Sequence, residues 1–179
     1  MKATGIVRRI DELGRVVIPK EIRRTQRIRP SDPLEIYTTA DGEVIFKKYS
    51  PVKQLTDSAV SYAAVLARSL GRGVLICDND RTVAAAGAGH REWEGRHLTA
   101  AMERLVAQRR TYAYAGRGGE KLYPCEGCGQ FLLLACPILT MGDVNGAVAL
   151  LAAREDETPG EGMRQAVSIA AAFLAKQLE

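Results

Sequence analysis

Two periods of apolar residues run along this chain, and the change from one to the other marks out its elements. In the first fifty residues the apolar positions come in short runs. Residues 4–10 and 15–18 read as strands. Between them Asp11-Glu12-Leu13-Gly14 reads as a turn, with Gly14 free to take a positive φ. Pro19 suits the first turn of a helix, where its missing N–H costs nothing. That helix is predicted over residues 20–28, with Ile22 and Ile28 inward and Arg23, Arg24 and Arg27 outward, and Pro30 and Pro33 stop it. Residues 34–38 and 44–48 are two more strands, joined by Ala40-Asp41-Gly42-Glu43 with Asp-Gly as the hairpin signal.

After Pro51 the period lengthens. Leu55, Ala59, Tyr62, Ala63, Leu66 and Leu70 fall on one face of a helix predicted over residues 52–70. Residues 74–78 read as a buried strand, and Asn79-Asp80 turns the chain into a second at 82–86. Leu98, Ala101, Met102, Leu105 and Val106 give an inward face to a helix over 94–109. Residues 130–139 and 147–153 are apolar strands, and a last helix begins near Gly162 with Met163, Ala166, Val167, Ala170, Phe173, Leu174 and Leu178 on one side. Helix, strands, helix, strands, helix predicts an α+β sandwich.

The first piece has four short strands and one short helix in about fifty residues, at the lower limit of independent stability. It would leave strand edges and an apolar face uncovered. Two chains that interleave their hairpins into one barrel would cover both, so an obligate dimer is expected.

Charge separates the same two pieces. Nine of the first thirty residues are Lys or Arg, and three are acidic, whereas the whole chain carries +4. All of that net charge lies in residues 1–52, and the remainder is balanced. The expected domains are therefore 1–52 and 53–179, joined near Tyr49-Ser50-Pro51. Basic residues gathered on short strands and one helix are the footprint of a polyanion-binding module. Lysine and arginine neutralise phosphates, and arginine is the usual partner of guanine edges.

These residues also carry a resemblance. The run from Gly5 through Arg24 (GIVRRIDELGRVVIPKEIRR), continued by Asp32-Pro33-Leu34-Glu35-Ile36 and Asp41-Gly42-Glu43-Val44-Ile45, is similar to the N-terminal signature of AbrB-type transition-state regulators. That resemblance implies a dimeric swapped-hairpin β-barrel that binds double-stranded DNA, with Arg8, Arg15, Arg23 and Arg24 at the DNA-contacting positions. Lys2, Arg9 and Lys20 are added from charge and position. Tyr49-Ser50-Pro51, residues 74–78, Gly146-Ala147-Val148 and residues 170–177 resemble the members that join this module to a C-terminal GAF domain. The resemblance implies a homotetramer that activates some late, forespore sporulation genes and represses others. It also implies a GAF-like half that oligomerises and responds to a small-molecule effector.

The four cysteines add one open question. Cys125-Glu126-Gly127-Cys128 is a C-x-x-C knuckle, Cys136 follows eight residues on, and Cys77 lies in a predicted strand. A zinc site needs four ligands, of which Cys125, Cys128 and Cys136 could supply three, with His90 or His97 as a fourth. A thiol–disulfide switch and a reduced structural pair are the alternatives. His90 and His97 read as surface residues, and Trp93 as a partly buried anchor. No catalytic constellation and no cofactor-binding loop is found, so no enzyme and no cofactor are expected. No apolar stretch approaches the roughly 20 residues of a membrane span. A terminus charged from Lys2 onward, with four cysteines and no secretory pattern, leads to the expectation of a cytoplasmic protein. Two other classes stay open. One is an antitoxin, since the swapped-hairpin fold also occurs there, although those chains end in a flexible tail. The other is a thiol-dependent GAF-fold reductase.

Overall fold

The computed structural model describes residues 4–87 and 91–179; Lys2 and His90, both named above, lie outside them. The chain divides into two units, Met1–Tyr49 and Ser50–Glu179.

In the first unit a short helix α1 (Lys20–Thr25) precedes an antiparallel hairpin of β1 (Leu34–Thr38) and β2 (Val44–Lys48). The register pairs Leu34 with Lys48 and Ile36 with Phe46. Gly42, at φ 82°, closes the turn by donating its N–H to the Thr39 carbonyl at 3.1 Å. The two strands expected over 4–10 and 15–18 do not form a ladder. Only the turn between them closes, with Asp11 N–H on the Arg15 carbonyl and Gly14 N–H on the Asp11 carbonyl, both at 3.0 Å. A strand is held by a neighbour's backbone, and within one chain these segments have none beyond that turn.

Helix α1 also stops three residues earlier than its apolar pattern predicts. Arg27 turns left-handed at φ 52°. Its N–H reaches the Arg24 carbonyl at 3.2 Å, and Ile28 N–H reaches the Arg23 carbonyl at 2.7 Å. This is a Schellman closure with arginine where glycine usually stands, which is why no residue in the sequence announces it. Pro19 is the only buried residue among those described in this unit. Val7, Ile10, Leu13, Val17 and Ile36 are all more than half exposed.

The second unit is built on a five-stranded antiparallel sheet. Its strands are β3 (Val74–Cys77), β4 (Thr82–Ala86), β5 (Tyr112–Ala113), β6 (Leu132–Thr140) and β7 (Asp143–Leu151), in the spatial order β4-β3-β7-β6-β5. Helices α2 (Pro51–Gln54), α3 (Thr56–Leu70) and α5 (Glu161–Gln177) serve one face, and α4 (Ala100–Ala107) the other. Ser50 caps α2, accepting from Lys53 N–H at 3.3 Å. Along β3, Val74 and Ile76 enter the core under α3 and α5 while Leu75 and Cys77 enter the one under α4. On β7, Val148 and Leu150 alternate with Ala149 and Leu151 in the same way. This two-sided burial explains the unbroken apolar runs in the sequence.

Three boundaries depart from the sequence reading. The helix expected over 52–70 is broken at Leu55, where α2 ends and α3 begins. The helix expected over 94–109 starts only at Ala100, because Thr99 caps it by accepting from Met102 N–H at 3.1 Å. Residues just before Thr99 are extended instead, with Arg81 bridged to His97 and Leu98 to Cys125. The loop expected between the last two strands shrinks to Met141 and Gly142, both at positive φ, as a two-residue hairpin requires. Trp93 is fully inside the α4-side core rather than partly buried.

Candidate nucleic-acid interface

The basic residues of the first unit sit on three short pieces of backbone. Arg8 and Arg9 follow one another on the segment before the turn, outside any strand or helix. Arg15 stands just after the turn. Lys20, Arg23 and Arg24 lie on α1 at spacings of three and four, and so share one face. Arg8, Arg9, Arg15, Lys20 and Arg24 are exposed, and Arg23 is half-buried. The Arg23 Nε is buried without a hydrogen-bond partner among the described residues.

The structure adds a residue that charge counting missed. Asp11 Oδ1 accepts the N–H groups of Leu13 at 3.0 Å and Arg15 at 2.8 Å, and Oδ2 accepts Arg15 Nε at 2.8 Å. The Arg15 backbone N–H and then its guanidinium hold the Asp11 carboxyl below the usual carboxylate range. One acidic side chain therefore shapes the turn and aims Arg15. The signal was present in the Asp-x-x-Gly-Arg spacing, because an Asp that opens a turn bonds backbone two residues on.

The cysteines fall on both faces of the sheet of the second unit. Cys125, Cys128 and Cys77 belong to the core beneath α4, whereas Cys136 packs toward α3 and α5. Of the candidate metal ligands, the structure brings Cys125 and Cys128 together but not Cys136, which lies on the other side of the sheet. Among the described residues no group of three or more His, Cys, Asp or Glu side chains is placed to hold an ion. His97 is half-buried, its Nδ1 3.6 Å from Asp80 Oδ1. Cys77 donates to the Ala147 carbonyl at 3.6 Å, and burial pushes its thiol up to about 12. Among the described residues no helix is long and apolar enough to cross a membrane.

Comparison with known proteins gives this arrangement a class. The family model for the stage V sporulation protein T C-terminal region, a transcription factor, matches residues 54–179, and that for antidote-toxin recognition MazE, a bacterial antitoxin, matches residues 7–54. The transition state regulatory protein AbrB of Bacillus subtilis (strain 168) is 63% identical over 51 residues, 28% of this chain and 52% of that protein. The GAF domain of PixJ from Thermosynechococcus elongatus, in its blue-light absorbing form, superposes with a TM-score of 0.56 at 16% identity, covering 72% of this chain and 87% of that one. At that identity the likeness is one of fold, and the second unit has the fold of a GAF domain. The match of residues 54–179 to a transcription-factor family model makes the class a transcription factor.

Stage V sporulation protein T of Bacillus subtilis (strain 168) is 47% identical over 179 residues, which is 100% of this chain and 99% of that protein. The chain belongs to the stage V sporulation protein T family of transcription factors.

Proposed function

We propose that this transcription factor acts on late sporulation genes, activating some and repressing others, by binding duplex DNA as a dimer of its N-terminal unit. Arg8, Arg15, Arg23 and Arg24 are the contacting residues, and Lys2, Arg9 and Lys20 add charge along the phosphates. In this reading residues 1–52 contact DNA, and residues 53–179 oligomerise and sense. The observation that carries it is the combination of nine basic residues in the first thirty with a unit that buries only Pro19 among its described residues. Such a unit needs a second copy to acquire a core, and a two-fold dimer presents every arginine twice.

Anisotropy titration of the full chain against a labelled sporulation-promoter duplex, at rising salt, tests this reading. The expected result is saturable binding whose logarithm falls linearly with log salt, with a slope reporting several displaced phosphate counterions. Binding insensitive to salt, or equal for an unrelated duplex, overturns it.

The assembly proposed is a tetramer, and the outer faces of α3 and α5 support it. Val65, Ile169 and Phe173 are each more than two-fifths exposed there, and Tyr62 stacks on Phe173 with ring centroids 5.0 Å apart. Light scattering of the full chain distinguishes four copies from two. A cavity of about 440 Å³, lined by Thr111, Cys136, Glu161, Arg164, Gln165 and Ser168 among others, is the place proposed for a small effector. A second reading, an antitoxin that captures a toxin protein, rests on the match of residues 7–54 to the MazE model. The folded 130-residue unit that follows, in place of a free tail, disfavours it.

A further inference from the structure

The DNA-binding reading leaves one sequence motif unused. Cys125 and Cys128 occupy the ends of a β-turn, closed by Cys128 N–H on the Cys125 carbonyl at 3.2 Å with Gly127 at φ 75°. A β-turn holds its first and last Cα atoms within about 7 Å of each other. A disulfide needs them about 4.4–6.8 Å apart. The turn is also held in place. Leu98 is bridged to Cys125, Glu126 N–H donates to the His97 carbonyl at 2.9 Å, and Thr99 N–H donates to the Pro124 carbonyl at 3.1 Å. Arg96 lies across it, with Nε on the Glu92 carbonyl at 2.8 Å and Nη1 on the Glu126 carbonyl at 3.2 Å. A Cβ at position 127 would run into that guanidinium, so glycine keeps the turn under its cover.

Both thiols point into the same core beneath α4, Cys125 at 1% exposure and Cys128 at 7%. The Cys128 thiol has two acceptors in reach, the Gln130 carbonyl at 3.1 Å and the Cys125 sulfur. Two facing thiols without the further ligands of a metal site leave the chemistry of a dithiol. We propose that Cys125 and Cys128 form a reversible dithiol–disulfide pair, oxidised by a small hydroperoxide.

Cys125 is the attacking sulfur. The hydrogen bond from Cys128 holds its thiol below the ordinary value against the opposing pull of burial, with Thr82 and Arg96 lowering it further and Glu126 raising it. Its thiolate attacks one peroxide oxygen and the O–O bond breaks. This leaves a sulfenic acid on Cys125 and a hydroxide that takes up a proton as water. The Cys128 sulfur then attacks the Cys125 sulfur and forms the S–S bond. The sulfenic hydroxyl departs as water with the Cys128 proton. Two thiols have been oxidised by two electrons and one peroxide reduced to two waters. A dithiol reductant reverses the step. Burial selects the oxidant, since hydrogen peroxide is small enough to pass where a peptide disulfide is not. The switch would act on the strap formed by residues 96–99, which ends at the cap of α4.

The bridge itself is sought in the full native chain, and a variant enters only to assign the attacking sulfur. The protein is treated with hydrogen peroxide, alkylated, cleaved after Lys121 and Arg154, and the 122–154 peptide mapped by fragment ions. The expected product is a 125–128 bridge, two hydrogens lighter, removed by a dithiol reductant, with Cys77 and Cys136 alkylated. Oxidised glutathione at equal concentration should act at least about tenfold more slowly, as access limits exchange. In Cys128→Ser, the Cys125 sulfenic acid should be trapped by a sulfenic-acid-specific dione. Absence of a bridge, or a bridge through Cys77 or Cys136, overturns the pair. Zinc retained stoichiometrically by protein taken from cells, with both thiols protected, also overturns it. Glutathione disulfide acting as fast as peroxide overturns the small-oxidant step.

Discussion

The two units of this chain solve the same problem in opposite ways. Both must hide apolar side chains from water. The C-terminal unit does so within its own fold, with Leu133, Val148 and Leu150 on one face of the sheet and Leu75, Leu132 and Leu151 on the other, each at 1% exposure or less. The N-terminal unit leaves Val7 at 86%, Leu13 at 75% and Val17 at 72% exposed while placing its arginines beside them. The GAF unit carries its stability in its own core. In the proposed reading the basic unit borrows its core from a partner, which would couple being folded to being dimeric and thus to presenting its arginines in two-fold pairs.

That contrast can be broken most forcefully inside the sheet. Leu150→Ala should cost about 2–5 kcal/mol of the C-terminal unit's stability, measured by urea unfolding at one fixed protein concentration. Gly146→Ala should cost at least as much as the lower end of that range. Its Cβ would run into the Cys77 backbone carbonyl on β3, which cannot swing aside as a side chain can, so relief requires the β3–β7 pair to shift. Retention of parental stability by both variants would mean that the sheet is not the second unit's stabilising element.

Next in size are the arginines. Arg15→Ala and Arg23→Ala should each weaken specific promoter binding by about 1–3 kcal/mol while the oligomer keeps its mass in light scattering. If both variants bind as the parent does, the assignment of those side chains fails.

Dilution separates the units more finely. Each tenfold dilution should lower the apparent stability of the N-terminal unit by about 1.4 kcal/mol, the logarithmic term of a dimer equilibrium. Hydrogen exchange of residues 4–49 as a function of concentration would read this. Equal exchange at all concentrations would show a unit that folds alone.

The smallest effect belongs to an ion pair within the GAF unit. Glu157 accepts Arg72 Nε at 2.9 Å, Arg72 Nη2 at 2.6 Å and Ala153 N–H at 2.9 Å. Burial pushes its carboxyl up, but the Arg72 hydrogen bond and the Ala153 amide outweigh it and hold the carboxyl below its ordinary value. A group whose folded pKa is depressed stabilises above its unfolded value. Its contribution should therefore be complete at neutral pH and disappear as pH falls below about 4.5 through the lower folded value. Glu157→Gln should cost about 1 kcal/mol at pH 7 and flatten the acid limb of the stability curve. A variant with the parent's acid limb would remove Glu157 from that account.

The elements most legible in the sequence were those whose partners lie nearby in the chain. The β1–β2 hairpin follows from Asp41-Gly42 between two alternating runs, and β3, β6 and β7 from apolar stretches too long for one face. Elements that depend on distant neighbours were misjudged, and those that depend on a second chain do not form within one. Residues 94–99 carry a helical pattern, yet their backbone is claimed by Arg81 and Cys125, and Thr99 then restarts the helix. Residues 4–10 carry a strand pattern that one chain does not pair. In the site, the arginines were legible because charge is read residue by residue. Asp11 was not singled out, because its role lies in the turn that it closes over Arg15.

The sequence alone determined that one end of the chain is basic and underfilled and the other neutral and core-rich, since both are sums over local composition and periodicity. The tertiary structure decided which face each buried residue takes. It set Cys136 apart from Cys125 and Cys128, because alternation along a strand sends neighbours to opposite sides and a sheet separates what a count of cysteines had joined. It also brought Cys125 and Cys128 together beneath Arg96, because a turn converts a spacing of three residues into a meeting of two sulfurs.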